Sequence, residues 1–130
     1  MNTKTSEIYR KRRNELRESR LKQTKDFILM NTTASLMDNH KWREIFDWID
    51  QHHLPFELKT LLSDQTRSCD RIRELETTSI LIDDTGDFIE FLEIEAITAR
   101  KTNELIRLLD KLNIDYYDRS KWMEIKGYQR

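Results

Sequence analysis

Glycine and proline are almost missing from this chain, with two of the first and one of the second in 130 residues. That scarcity excludes a flexible linker, a glycine-rich phosphate loop and an array of turn-punctuated repeats. The single cysteine, Cys69, excludes an internal disulfide. The longest apolar runs, Phe27-Ile28-Leu29-Met30 and Ile80-Leu81-Ile82, are far too short to span a bilayer. The N-terminal stretch is charged and lacks the apolar segment of a secretory signal. These absences support the expectation of a reducing, cytoplasmic location without membrane attachment.

Charge is what the chain has in quantity. Hydrophobic residues make up 37% and charged residues 36%, so part of the chain is expected to lie outside the core. The length suits one domain with one core. The net charge of −1 conceals a polarity: residues 1–25 hold nine Lys/Arg against three Glu, giving +6, and residues 26–130 give −7. A basic helical arm over residues 1–30 and an α+β domain over 31–130 are expected from that division.

Glu7 to Lys25 favours helix, with good formers and no breaker. Its apolar content is thin, but Arg10, Arg13, Arg17 and Arg20 fall on one face at 100° per residue. Glu7–Lys11 and Glu18–Lys22 are supporting pairs one turn apart. Such a helix is marginal alone and needs a surface to lie on. Trp42, Ile45, Phe46 and Ile49 trace the buried face of a second helix. Asp38 suits its N-cap, Met37 and Trp42 suit a hydrophobic staple, and Pro55 ends it near His52–His53. Phe56–Leu62 reads as a strand, whereas 63–76 is polar and ambiguous. Thr77–Ile82 and the apolar run Phe88–Ile97 read as a hairpin about Asp83–Asp87. A third helix over 99–112 has Thr98 or Thr102 as cap, Leu105, Leu108, Leu109 and Leu112 as stripe, and Asn113 at its end. Strands Ile114–Asp118 and Trp122–Lys126 follow around an Asp118–Lys121 turn. The expected fold is α+β, in the order α-α-β-β-β-α-β-β: a small, mostly antiparallel sheet with helices packed on one face.

Two segments carry a resemblance, Leu36-Met37-Asp38-Asn39-His40-Lys41-Trp42-Arg43-Glu44-Ile45-Phe46 and Ile89-Glu90-Phe91-Leu92-Glu93-Ile94. The chain resembles a family of small uncharacterised bacterial proteins with a Met-Asn/Asp-x-x-Lys-Trp helix start, an Ile-Glu-Trp-Leu-Glu-Ile strand and a closing helix-hairpin. The match would cover roughly residues 36–128. Phe91 stands where the family often has Trp. The resemblance implies a fold and a bacterial or mobile-element source, without an established activity. The size and acidic body also look like those of toxin-neutralising immunity proteins, by analogy alone. The basic arm lies outside the match.

Two surfaces are candidates for function. Asp83, Asp84, Asp87, Glu90, Glu93 and Glu95 would form an acidic surface for a basic protein partner such as a toxin or nuclease. Trp48, about 110° off its helix's buried stripe, either packs under a neighbour or serves as an aromatic anchor at that interface. The Arg10, Arg13, Arg17 and Arg20 stripe would contact nucleic-acid phosphates, an acidic partner, or this chain's own −7 body. Self-association, arm on neighbouring body, is a further arrangement. Glu90 is the odd residue, because unbroken alternation puts it on the face of Phe88, Leu92 and Ile94. A buried carboxylate is costly unless paired. Exposure at the sheet's end is the preferred expectation, with an arginine partner the alternative.

No catalytic set, cofactor motif or metal set is expected. His52 and His53 are adjacent, point about 100° apart on a helix, and read as helix-end residues. Asp83, Asp84 and Asp87 lack the alternating ligands and distant glutamate of a calcium loop. Cys69 lacks a second cysteine, although Arg67, Arg71 and Arg73 could lower its pKa; a passive thiol is the expectation. No strand-turn-helix elbow for a nucleophilic serine is visible. The leading expectation is a non-enzymatic binding protein of immunity or antitoxin type, and the alternative is a nucleic-acid-binding accessory protein using the arm.

Overall fold

Helix α1 (Thr3–Asn31) is about 43 Å long at the ordinary helical rise. In this computed structural model, backbone is described for residues 3–76 and 79–130, and side chains for 11–12, 15–75 and 79–130. The helix extends past both ends of the expected Glu7–Lys25 because nothing in the flanking residues breaks it. Strand β1 (Ala34–Ser35) follows, then α2 (Asn39–Gln51), whose Asp38 carboxylate accepts the Lys41 N–H at 2.7 Å. Trp42, Ile45, Phe46 and Ile49 are its buried face. His52 caps the C-terminal end, and His53 takes a positive φ of 50° before Pro55.

The remaining elements are β2 (Phe56–Thr60), β3 (Arg67–Cys69), β4 (Ile72–Glu76), β5 (Ile80–Asp83), β6 (Phe88–Glu90), a 3-10 turn (Phe91–Glu93), β7 (Ile94–Arg100), α3 (Asn103–Lys111), β8 (Tyr117–Arg119), β9 (Trp122–Lys126) and β10 (Tyr128–Gln129). The fold is α+β, with three described helices, and every described strand pair is antiparallel. A five-stranded sheet runs β3-β2-β7-β9-β8, so the three-residue strands β3 and β8 are its edges. A three-stranded sheet runs β4-β5-β6, and β1 pairs β10 in a ribbon.

Cross-strand register explains the core. Phe56 pairs Ala99, which pairs Met123; Leu58 pairs Ile97, which pairs Ile125. These six are buried in one cluster with the apolar faces of α2 and α3, the latter through Leu105 and Leu109. Residues one position over, among them Lys59, Ala96, Glu124 and Lys126, occupy the opposite face, as a period of two requires.

Several elements differ from expectation. The polar stretch 63–76 supplies β3 and β4, because their charged residues are tolerated on exposed positions while Cys69 and Ile72 turn inward. Thr77, the expected start of a strand, lies outside the described residues. The run Phe88–Ile97 is not one strand: the 3-10 turn breaks it, and β6 belongs to the three-stranded sheet while β7 belongs to the five-stranded one. Phe91 thereby enters the core, its ring centroid 5.4 Å from that of Phe46. Residues 99–100 finish β7, so α3 starts only after Thr102, whose hydroxyl accepts the Leu105 N–H at 3.1 Å. Among the described residues no helix is long and apolar enough to cross a membrane.

Candidate functional site

The broken strand creates a polar seat. Phe91 N–H donates to Ser79 O at 2.8 Å, Leu61 N–H to Glu93 O at 2.8 Å, and the Tyr128 hydroxyl to Leu92 O at 2.6 Å. Pinned from three directions, the turn holds Glu90 and Glu93 three residues apart. Glu90 N–H donates to Glu93 Oε2 at 2.8 Å, which fixes the second carboxylate against the first residue's backbone. Both glutamates are buried, at 9% and 4% exposure.

Helix α1 lies against this turn. Arg17 pairs with Glu90, and Arg20 Nε reaches Glu93 Oε1 at 2.7 Å. Arg20 also donates to Phe88 O at 2.9 Å, and Ser79 Oγ donates to the other Glu90 oxygen at 3.5 Å. Two arginines three residues apart thus meet two glutamates three residues apart. The expected exposure of Glu90 is therefore wrong. That preference rested on the cost of burying an unpaired carboxylate, and the alternative holds instead: Glu90 is buried and Arg17 meets it. The side chains of Arg10 and Arg13 lie outside the described residues.

The rest of the seam is thin. Leu21, Phe27 and Ile28 are half-buried, and Thr24 is fully buried with no partner for its hydroxyl. Leu16, Leu29 and Met30 point to solvent, the last two at 82% and 83% exposure. The Arg130 guanidinium stacks over the Phe27 ring, 5.2 Å from its centroid.

The other acidic candidates do not form one open patch with these two. Asp83 is 2% exposed and is a turn organiser: its Oδ1 accepts Thr85 N–H, Thr85 O–H and Asp87 N–H, and its Oδ2 accepts Arg67. Burial pushes its carboxyl up, but those hydrogen bonds outweigh burial and leave it below the ordinary carboxylate value. Asp87 is exposed and shares Arg67 at 3.2 Å, and half-buried Asp84 accepts the Asp70 N–H. Glu95 sits on the opposite sheet face between Lys59 and Arg130, in a shallow concavity of about 750 Å³. Trp48 is half-buried at the core's edge, stacked 4.1 Å from the His52 ring.

One grouping is invisible in the one-dimensional order. Strand β3 brings Cys69 beside Asp83 and Asp84, with ligand-type atoms within 4.8 Å of one another. Burial, then the two aspartates, pushes the thiol up to about 12, so it stays protonated at neutral pH. Asp84 Oδ1 is buried without a partner. Asp83, however, already holds four hydrogen bonds, which leaves this group a structural packing of a turn against a strand. His52 Nδ1 sits 2.8 Å from Trp48 O and its Nε2 lies 3.6 Å from Glu104, a helix-end arrangement.

Of the described residues singled out in the sequence, the structure unites Arg17, Arg20, Glu90 and Glu93 at one place, gathers Asp83, Asp84 and Asp87 in a separate turn, and sets Glu95 and Trp48 apart from both. Ser79 and the Phe88 carbonyl, also part of the seat, carry no sequence signal. Compared with family models, curated proteins and solved structures, the chain matches none.

Proposed function

We propose that this chain is a non-enzymatic protein-binding module, of the immunity or antitoxin kind, that engages a basic partner through Glu90 and Glu93. One observation carries the reading. The body holds two fixed carboxylates in a geometry that accepts two arginines one helical turn apart, as Arg17 and Arg20 demonstrate. Charge-assisted pairs of this kind are among the stronger polar contacts, and they select guanidinium by shape as well as charge. Arg17 and Arg20 each set a guanidinium against one of the two carboxylates, which favours contact over bond-making. A cytoplasmic setting and kinship with the family resembled by Leu36–Phe46 belong to the same proposal.

A pull-down from the native host tests it. The full chain is expected to enrich a basic protein, such as a toxin or nuclease, that Glu90→Gln/Glu93→Gln in the same chain no longer retains. Equal recovery by both forms defeats the reading. The nucleic-acid alternative requires Arg17 and Arg20 to leave their carboxylates, and it predicts affinity that falls steeply with salt.

A further inference from the structure

We infer that α1 is a tethered competitor for the Glu90–Glu93 seat, and that the seat's external ligand is an amphipathic helix carrying two arginines three residues apart. The inference rests on the binding reading above and adds its regulation and the form of its partner.

Three observations lead there. First, the seat is filled in cis: Arg17 and Arg20 occupy both carboxylates and Arg20 also takes the Phe88 carbonyl, so no outside cation reaches them while α1 is down. Second, the occupant is built to be released. Among its described side chains only Thr24 is fully buried, and its hydroxyl is orphaned, whereas Leu16, Leu29 and Met30 face water. An unsatisfied buried hydroxyl works against the docked state, and a helix of this kind gains little elsewhere. Third, the body keeps its anchor when α1 leaves. Thr33 N–H donates to Gln129 O at 2.7 Å and β1 pairs β10, so the chain is clamped immediately after the helix ends. A short tether gives α1 an effective concentration on the order of millimolar. A free helix must overcome that, so only a ligand with a better apolar face or further cations displaces it. While docked, α1 also withholds Arg17 and Arg20 from any other acidic surface.

A labelled, end-capped peptide of residues 11–31 serves as the probe, with fluorescence anisotropy against three full-length chains. These are the wild type, Arg17→Gln/Arg20→Gln, and that variant with Glu90→Gln/Glu93→Gln added. The peptide is expected to bind the first variant at least about tenfold more tightly than the wild type, the gain from removing a cis competitor. The added glutamine pair is expected to abolish that binding. Equal affinity for wild type and first variant overturns the competitor while leaving the seat as a receptor. Binding to neither, or binding that survives loss of both glutamates, overturns the receptor and the competitor together. Should the variants not fold, hydrogen exchange on the wild type decides: saturating peptide is expected to speed exchange of α1 amides near Arg17–Ile28, and unchanged exchange overturns the inference.

Discussion

Asp83 shows how one side chain can hold a turn. Gly86 in that turn has φ of +90°, a conformation that suits glycine, and the Asp83 carboxylate gathers the N–H groups of Thr85 and Asp87 around it. Replacing it with alanine leaves the N–H groups of Thr85 and Asp87 without that acceptor and takes from Arg67 one of its two carboxylates, at an expected cost of about 2 kcal/mol in chemical denaturation. Its pH signature has a definite sign. The native carboxyl lies below its ordinary value, so its contribution is complete above the ordinary carboxylate range and disappears as pH falls through the native value. Asp83→Asn is expected to flatten that acid limb of the stability profile; an unchanged limb would place the acid sensitivity elsewhere.

Among the elements, α1 depends most on its neighbours. A helix with little apolar face draws its order from docking. Arg17→Gln/Arg20→Gln is therefore expected to lower far-UV helical signal while leaving the near-UV signal of the buried Trp42 unchanged. Loss of both signals together would mean that α1 is part of the cooperative core. Much of this element-level picture is legible in the sequence where one periodic face meets one cap: α2 from Asp38 and its four apolar positions, α3 from its leucines and Thr102. Legibility fails where a single apolar run serves two sheets. Ile89, Phe91, Ile94 and Ile97 are all buried, yet their spacing of two, three and three fits neither strand nor helix. The hydrogen bonds to Leu61, Ser79 and Tyr128, all distant in the chain, explain the break. The pairing of Arg17 and Arg20 with Glu90 and Glu93 was half visible. The arginine stripe stood out, and a docked arm was one of its expected uses, but which acids it meets depends on that break. Gly127 belongs with these late-revealed features: a Cβ there would lie 2.3 Å from Ile94 O, a proximity no local pattern announces.

At the scale of the whole molecule, the +6 of residues 1–25 and the −7 of residues 26–130 sum to a net charge of −1, and the docking of α1 sets Arg17 and Arg20 against two of the opposing carboxylates. Such a small net charge gives little mutual repulsion to keep copies apart. The two edges of the five-stranded sheet compensate. Both β3 and β8 are three residues long, and each carries charge, Arg67 on one and Asp118 and Arg119 on the other. Brief, charged rims offer an incoming strand few backbone partners, so they are poor templates for fibrous growth. Concentrated solutions are thus expected to stay clear and negative for amyloid dyes on prolonged incubation, and turbidity with dye uptake would contradict it. The shortness of two peripheral strands, trivial in the chain's architecture, thereby supplies against strand addition a barrier that its near-balanced charge does not.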